Sequence, residues 1–239
     1  MVAITFDMDW APDWAIEDII GYLVPRKVKA TFFVTNETPA LATLRCHPEL
    51  FELGLHPNMF PGSSHGSSCQ EVFEYCRKIV PEAVSMRTHG LYQSSNFLIQ
   101  VNQQFGIKND VSLFLPNLEV LKPFTFQVAA CRLKRIPYNW EDDFSFHDPD
   151  FSWSTKTVDW DQDHIFNFHP IHTALNSRNA SAYAELRAKY VNISGCSKAE
   201  IMNFDQAEAG TGTFFREIAD HLAETGKSHT IRELCEEAE

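Results

Sequence analysis

Along 239 residues, seven short apolar runs rich in β-branched and aromatic side chains recur, at positions 4–6, 30–35, 51–55, 83–86, 111–114, 133–136 and 165–168. Segments with apolar residues at helical spacing fall between several of them: 14–24 stops at Pro25, 70–79 stops before Pro81, and 94–104 ends near Gly106. Such alternation predicts right-handed βαβ units and a parallel sheet. About seven strands in one domain close most naturally into a barrel, so the expected fold is an α/β (β/α) barrel. It spans 1–239 as a single domain, with 173–239 as a helical C-terminal part built on helices near 177–190 and 213–225 and ending in an acidic tail, 231–238. The acidic, aromatic stretch 149–163 reads as a surface loop.

Composition narrows the function. With 32 acidic against 20 basic side chains, the formal charge is −12 and most of the surface repels a polyanion, which excludes nucleic acid as a partner. No window approaches the roughly 20 apolar residues of a membrane span, and no basic flank leads into an apolar stretch at the N-terminus. The expected location is cytoplasmic. Cys46, Cys69, Cys76, Cys131, Cys196 and Cys235 form no C-x-x-C pair, which favours reduced thiols over a disulfide framework or a zinc-thiolate site. The oligomeric state is left open.

The chemistry collects at the ends of the apolar runs, where α/β sheets place their active sites. The first run ends in Asp7 and Asp9, which alternation can put on one side of a strand. The third is followed by Gly54-Leu-His56-Pro-Asn58 and then by His65, the fourth by Arg87-Thr-His89-Gly90, and the sixth by Trp140-Glu141-Asp142-Asp143. The last leads into His169-Pro-Ile-His172. Any one of these histidines is ordinary, but together carboxylate and imidazole are a ligand set for zinc or another borderline divalent metal. Gly210-Thr-Gly-Thr213 lacks the lysine and preceding strand of a phosphate loop and reads as the cap of a helix.

In order, Thr5-Phe6-Asp7-Met8-Asp9, Ala30-Thr-Phe-Phe-Val34, Glu52-Leu-Gly-Leu-His56, Arg87-x-x-Gly90, the Trp140 acidic cluster and His169 resemble the polysaccharide deacetylases of the NodB-homology type, carbohydrate esterase family 4. The similarity covers about residues 2–172, and the His-Pro-Asn, Ser-His-Gly and His-Pro-Ile-His segments are most similar to the WbmS-like branch. The resemblance implies a distorted (β/α) barrel and metal-dependent removal of an N-acetyl or O-acetyl group from a sugar or polysaccharide intermediate. It implies Asp7 as general base, Arg87 as the cation that pairs with it, and His169 as general acid, oriented by a carboxylate of the 141–143 cluster, with Asp143 the first choice. Asp9 and His56 are the implied metal ligands, for zinc or alternatively cobalt or nickel. The second motif of the family carries another histidine four residues after the first; here that position is Phe60. His65 is the expected replacement, brought back by the turn 61–64, with the Asn58 carbonyl oxygen as the alternative. His172 is a group behind the site or on the surface, and His89 a candidate substrate contact. Trp10, Trp140 and Tyr92 are candidate aromatic walls.

Two other readings stay open. Haloacid-dehalogenase-type phosphatases also begin with a strand and Asp-x-Asp, with Asp159-Trp-Asp161-Gln-Asp163 available as a late acidic motif. A non-catalytic barrel that binds a glycan or a partner is the second.

Overall fold

In the computed structural model, residues 1–116, 118–204 and 207–237 are described; position 238, the expected end of the acidic tail, lies outside them. The chain runs β1 (Val2–Asp7), α1 (Asp13–Leu23), β2 (Ala30–Val34), α2 (Ala40–Arg45), β3 (Phe51–Leu55), α3 (Cys69–Ile79), β4 (Ser85–Met86), α4 (Ser95–Phe105) and β5 (Asn109–Asp110). It continues with β6 (Phe124–Val128), β7 (Cys131–Arg135), β8 (Trp140–Glu141), α5 (Asp142–Ser145) and β9 (His164–Phe168). Helices α6 (Pro170–Leu175), α7 (Ser181–Lys189), α8 (Lys198–Met202), α9 (Thr211–Thr225) and α10 (Ile231–Glu236) follow.

Nine strands form one sheet in the order β6-β7-β5-β4-β3-β2-β1-β9-β8, parallel throughout except for β6 against β7. The expected α/β fold with a mostly parallel sheet is present, but the sheet has nine strands instead of about seven and curls into a half-barrel instead of closing. The sheet ends in an antiparallel hairpin, and no continuous ladder closes it among the described residues. An isolated bridge between Phe114 and Tyr138 joins the chain after β5 to the chain before β8. The run 111–114, expected as a strand, supplies only that bridge, because the ladder forms just before it at Asn109 and Asp110. Strand β6 carries no buried position, so it shows no inside–outside alternation in its sequence.

Along the central strands, alternate residues face opposite sides. Ile4, Phe6, Phe32, Phe166 and Phe168 join the large core shared with the helices, while Ala3, Phe33 and Ile165 join a second core with Val111, Ile136 and Tyr138 on the other face. Helix α10 closes that second core at the N-terminal ends of the strands. Ile231, Leu234 and Cys235 pack into it, Ile231 N–H donates to Thr31 Oγ1 (2.9 Å), and Arg232 N–H donates to Glu52 Oε2 (2.8 Å). Gly54 is required there because a Cβ would lie 2.6 Å from the Phe33 ring. Positions two and four residues further along the same faces bring Asp7, His56, Arg87, Asn167 and His169 together at the opposite, C-terminal end of the sheet.

All six cysteines are free. Among the described residues, no helix is long and apolar enough to cross a membrane. The stretch 149–163 is more than a surface loop, since Trp153 is buried against Phe146, Phe151 and Phe214. Gly210 and Gly212 seat the start of α9 against α6, where a Cβ would come within 2.1 Å of Asn176 O and 2.4 Å of Thr173 O respectively.

Candidate active site

The Asp-x-Asp spacing has a backbone cause. Strand β1 continues one residue beyond Asp7 through Met8 N–H to Phe33 O (3.1 Å), and the Met8 side chain goes into the outer core. Asp9 (φ 39°) and Trp10 (φ 54°) then adopt the left-handed region, which is uncommon for residues other than glycine and concentrates at functional turns. Asp9 N–H donates to Thr35 Oγ1 (2.9 Å), which fixes the turn and leaves both carboxylates at the mouth of the sheet.

Asp9, His56 and His89 bring one ligand atom each into a common group. His56 Nε2 and His89 Nδ1 each lie 3.1 Å from Asp9 Oδ1, and the two nitrogens are 3.4 Å apart. Ligand atoms in a tetrahedral zinc site with bonds of about 2.0–2.2 Å stand about 3.3–3.6 Å from one another, so the trio needs only small adjustments to hold such an ion. Burial works against the charge of Asp9, yet the hydrogen bonds of His56 and His89 hold its carboxyl well below the ordinary value. His89 sits on a single 3-10 turn, His89–Leu91, tied by its N–H to Pro57 O (3.1 Å). The next residue, Gly90, has φ 60°, and a Cβ on it would lie 2.5 Å from the Phe60 ring. Phe60, at the position where the family pattern has histidine, thus braces the turn that presents His89.

His65, expected as the third ligand, lies outside this group. Its Nδ1 accepts from Asn58 N–H (3.1 Å), its ring stacks on Tyr75 at 4.6 Å, and Trp10 covers it at 5.7 Å. Burial, reinforced by the charges of His56 and His89, pushes its imidazole down to about 4. His65 thus stands as a neutral pin for the 58–65 loop. Asn58 turns its side-chain oxygen to Phe60 N–H (3.0 Å).

Arg87 is fully buried between the rings of Phe33 and Tyr138, 4.7 and 4.2 Å from its guanidinium carbon. Its Nη1 donates to Asp7 Oδ1 (3.2 Å), Thr5 Oγ1 (2.9 Å) and Asn167 Oδ1. Asn167 Nδ2 donates to Asp7 Oδ2 and to Glu141 Oε1, both at 3.0 Å. Asp7 therefore has both oxygens held, and His56 Nδ1 faces it at 3.5 Å. Asn167 and Glu141 complete this network without having been singled out for it. The signal for Asn167 was a lone polar residue between Phe166 and Phe168 in an apolar strand. The Glu141 carboxyl is pushed up to about 7, first by loss of solvent and then by Asp143.

On the other flank, His169 Nδ1 donates to Asp142 Oδ1 (2.7 Å), and His169 N–H donates to Asp142 Oδ2 (2.8 Å). The carboxylate that orients His169 is thus Asp142. Asp143, the first choice from the motif, is exposed and lies beside the pair. Although burial disfavours the imidazolium, the Asp142 carboxylate raises His169 well above its ordinary value. His169 Nε2 points back to Asp9 Oδ2 at 3.7 Å. His172 is buried behind it, its Nδ1 3.2 Å from Ser177 Oγ, and burial next to His169 pushes it down to about 3.

A cavity of about 340 Å³ opens onto Asp9 and His89 and is walled by Trp10, Tyr183 and Arg187. Trp140 instead packs among Phe151, Trp153, Phe168 and Phe214 as core, and Tyr92 is exposed with its ring edge-on to Phe97. The acidic run 159–163 precedes β9, at the end of the sheet opposite Asp7, where Asp163 pairs with the N-terminal amine (2.6 Å) and accepts from Leu121 N–H (2.9 Å). It cannot serve a phosphatase site built on Asp7.

Solved structures similar to this chain include a candidate deacetylase and two esterases. A structure of a candidate polysaccharide deacetylase involved in O-antigen biosynthesis, WbmS from Bordetella bronchiseptica, is 29% identical, with a TM-score of 0.79 over 92% of this chain and 90% of that one. A family 4 carbohydrate esterase from Bacillus anthracis is 16% identical with a TM-score of 0.46, covering 98% of this chain and 82% of that one. A family 4 acetyl xylan esterase from Clostridium thermocellum, solved with a cobalt ion, is 16% identical with a TM-score of 0.47, covering 98% and 89%. No curated protein sequence matches significantly. The family model for WbmS-like polysaccharide deacetylases matches residues 4–187. The chain belongs to the WbmS-like polysaccharide deacetylase family.

Proposed function

We propose that this protein is a metal-dependent hydrolase that removes an acetyl group from a sugar or polysaccharide precursor in the cytoplasm. Asp9, His56 and His89 are the ligands, and zinc fits their two imidazoles and one carboxylate, with cobalt or nickel as alternatives. The observation that carries this reading is the convergence of the three donor atoms within bonding reach of one ion, beside Asp7 on one side and His169 on the other. Bound there, the metal supplies a Lewis acid for the acyl carbonyl and acidifies a water.

The remaining work falls to the chain. Asp7, oriented by Arg87 and Asn167, accepts the proton of the attacking water. His169, protonated through its pairing with Asp142, donates to the leaving nitrogen or oxygen from Nε2. Trp10 and Tyr183 present faces on which a sugar ring can lie. Acetate release from N-acetylated and O-acetylated sugar nucleotides and oligosaccharides tests the proposal. Release should require added zinc, cobalt or nickel and stop with a chelator. A protein that binds these sugars but releases no acetate with any of the three metals is a binding barrel instead.

A further inference from the structure

We propose that a second cavity, at the N-terminal end of the sheet and remote from the candidate active site, is a binding site for a ligand carrying a phosphate or diphosphate group. The cavity, of about 730 Å³, lies between the starts of β4, β5 and β7 and helix α10, and is lined by Lys108, Arg132, Lys134, Arg232 and Glu236. That volume is in the range of sites for small organic ligands. Four cations against one carboxylate is a local reversal of sign in a chain whose formal charge is −12.

Three of the four cations, Lys108, Arg132 and Lys134, are left without an ion pair among the described residues. Arg132 and Lys134 stand two residues apart on β7 and so share a face, and Lys134 N–H bonds to Lys108 O (2.8 Å), which sets the third cation alongside, just before β5. Arg232 comes from α10 on the opposite wall. Its Nε is buried without a hydrogen-bond partner and makes only a long ion pair, 3.8 Å to Glu52 Oε1. Like charges gathered on one concave wall repel, and a multiply charged anion reverses that term while the guanidinium forks and ammonium groups meet its oxygens.

Calorimetric titration of the full chain, freed of metal, with inorganic pyrophosphate at low ionic strength tests this site. The expected result is saturable binding of one equivalent per chain that weakens with salt, falls at least about tenfold in Arg132→Gln/Lys134→Gln, and is unchanged in His56→Ala. If the double variant does not fold, the exposed Lys108→Gln supplies the same comparison. Absence of saturable binding overturns the proposal, as does binding that survives in the β7 variant. Loss in His56→Ala would place the anion at the candidate metal centre and also overturns it. None of these outcomes depends on deacetylase activity.

Discussion

The Nδ1 atom of His89 lies 3.1 Å from Oδ1 of Asp9, across 80 positions of sequence. Two local devices create this meeting: the left-handed turn at Asp9 and Trp10, and the Gly90 turn beneath the Phe60 ring. In the proposed metal centre, the histidine absent at position 60 is replaced by His89, one strand further along, with Phe60 as its brace.

Gly90→Ala should act on the metal through that brace. A Cβ at 2.5 Å from the Phe60 ring, on a residue with φ 60°, strains the turn by about 1–3 kcal/mol. Competition titration with a zinc indicator should show affinity falling roughly tenfold or more. Unchanged affinity would mean that Phe60 and Gly90 do not position His89.

Arg87→Met should destabilise the fold. It leaves Asp7 buried beside Asn167 without its cation, and loss of one partner from a buried pair costs about 3–5 kcal/mol. Urea unfolding measures it; a loss under about 1 kcal/mol would show that Asn167 alone satisfies Asp7.

His169 should leave a signature in pH. Its folded-state value is raised by Asp142, so its contribution to stability is fully present below the ordinary histidine value of about 6.5 and is lost as pH rises through the higher folded value. In chelator-treated protein, the stability gap between wild type and His169→Asn should therefore narrow from pH 6 towards alkaline pH, by about the shift itself. Acetate release should fall over the same alkaline interval. A gap that widens with pH contradicts the pairing.

Asp142→Asn and Asp143→Asn separate neighbours that differ in role. The first removes the carboxylate that holds both Nδ1–H and N–H of His169 and should lower kcat about 10–100-fold, with loss of the alkaline limb. The second touches an exposed side chain and should change kcat less than about threefold. Equal losses would return the orienting role to Asp143.

The sequence made some of this legible and hid the rest for physical reasons. Asp7, Asp9, His56, Arg87 and His169 are all at or just beyond the ends of apolar runs, so strand periodicity alone pointed to one end of a sheet. His89 was read only as a substrate contact, because its approach to Asp9 depends on a one-turn helix and a left-handed glycine, which leave no periodic trace. His65 was attractive because the Pro61 to Ser64 turn could bring it back; it does come back, but to Asn58 N–H and Tyr75. Asp142 and Asp143 are adjacent, and only the start of α5 decides which faces His169. Helix α6 begins at Pro170 directly after His169, too short to show helical spacing. Strand β6 was missed because an exposed edge strand has no buried face to pattern.

Equilibrium zinc binding by wild type, His89→Ala and His65→Ala probes the proposed Asp9, His56 and His89 centre. Wild type and His65→Ala should each hold about one tightly bound zinc per chain, and His89→Ala should lose at least about a hundredfold in affinity. Wild-type affinity in His89→Ala together with loss in His65→Ala would contradict that centre.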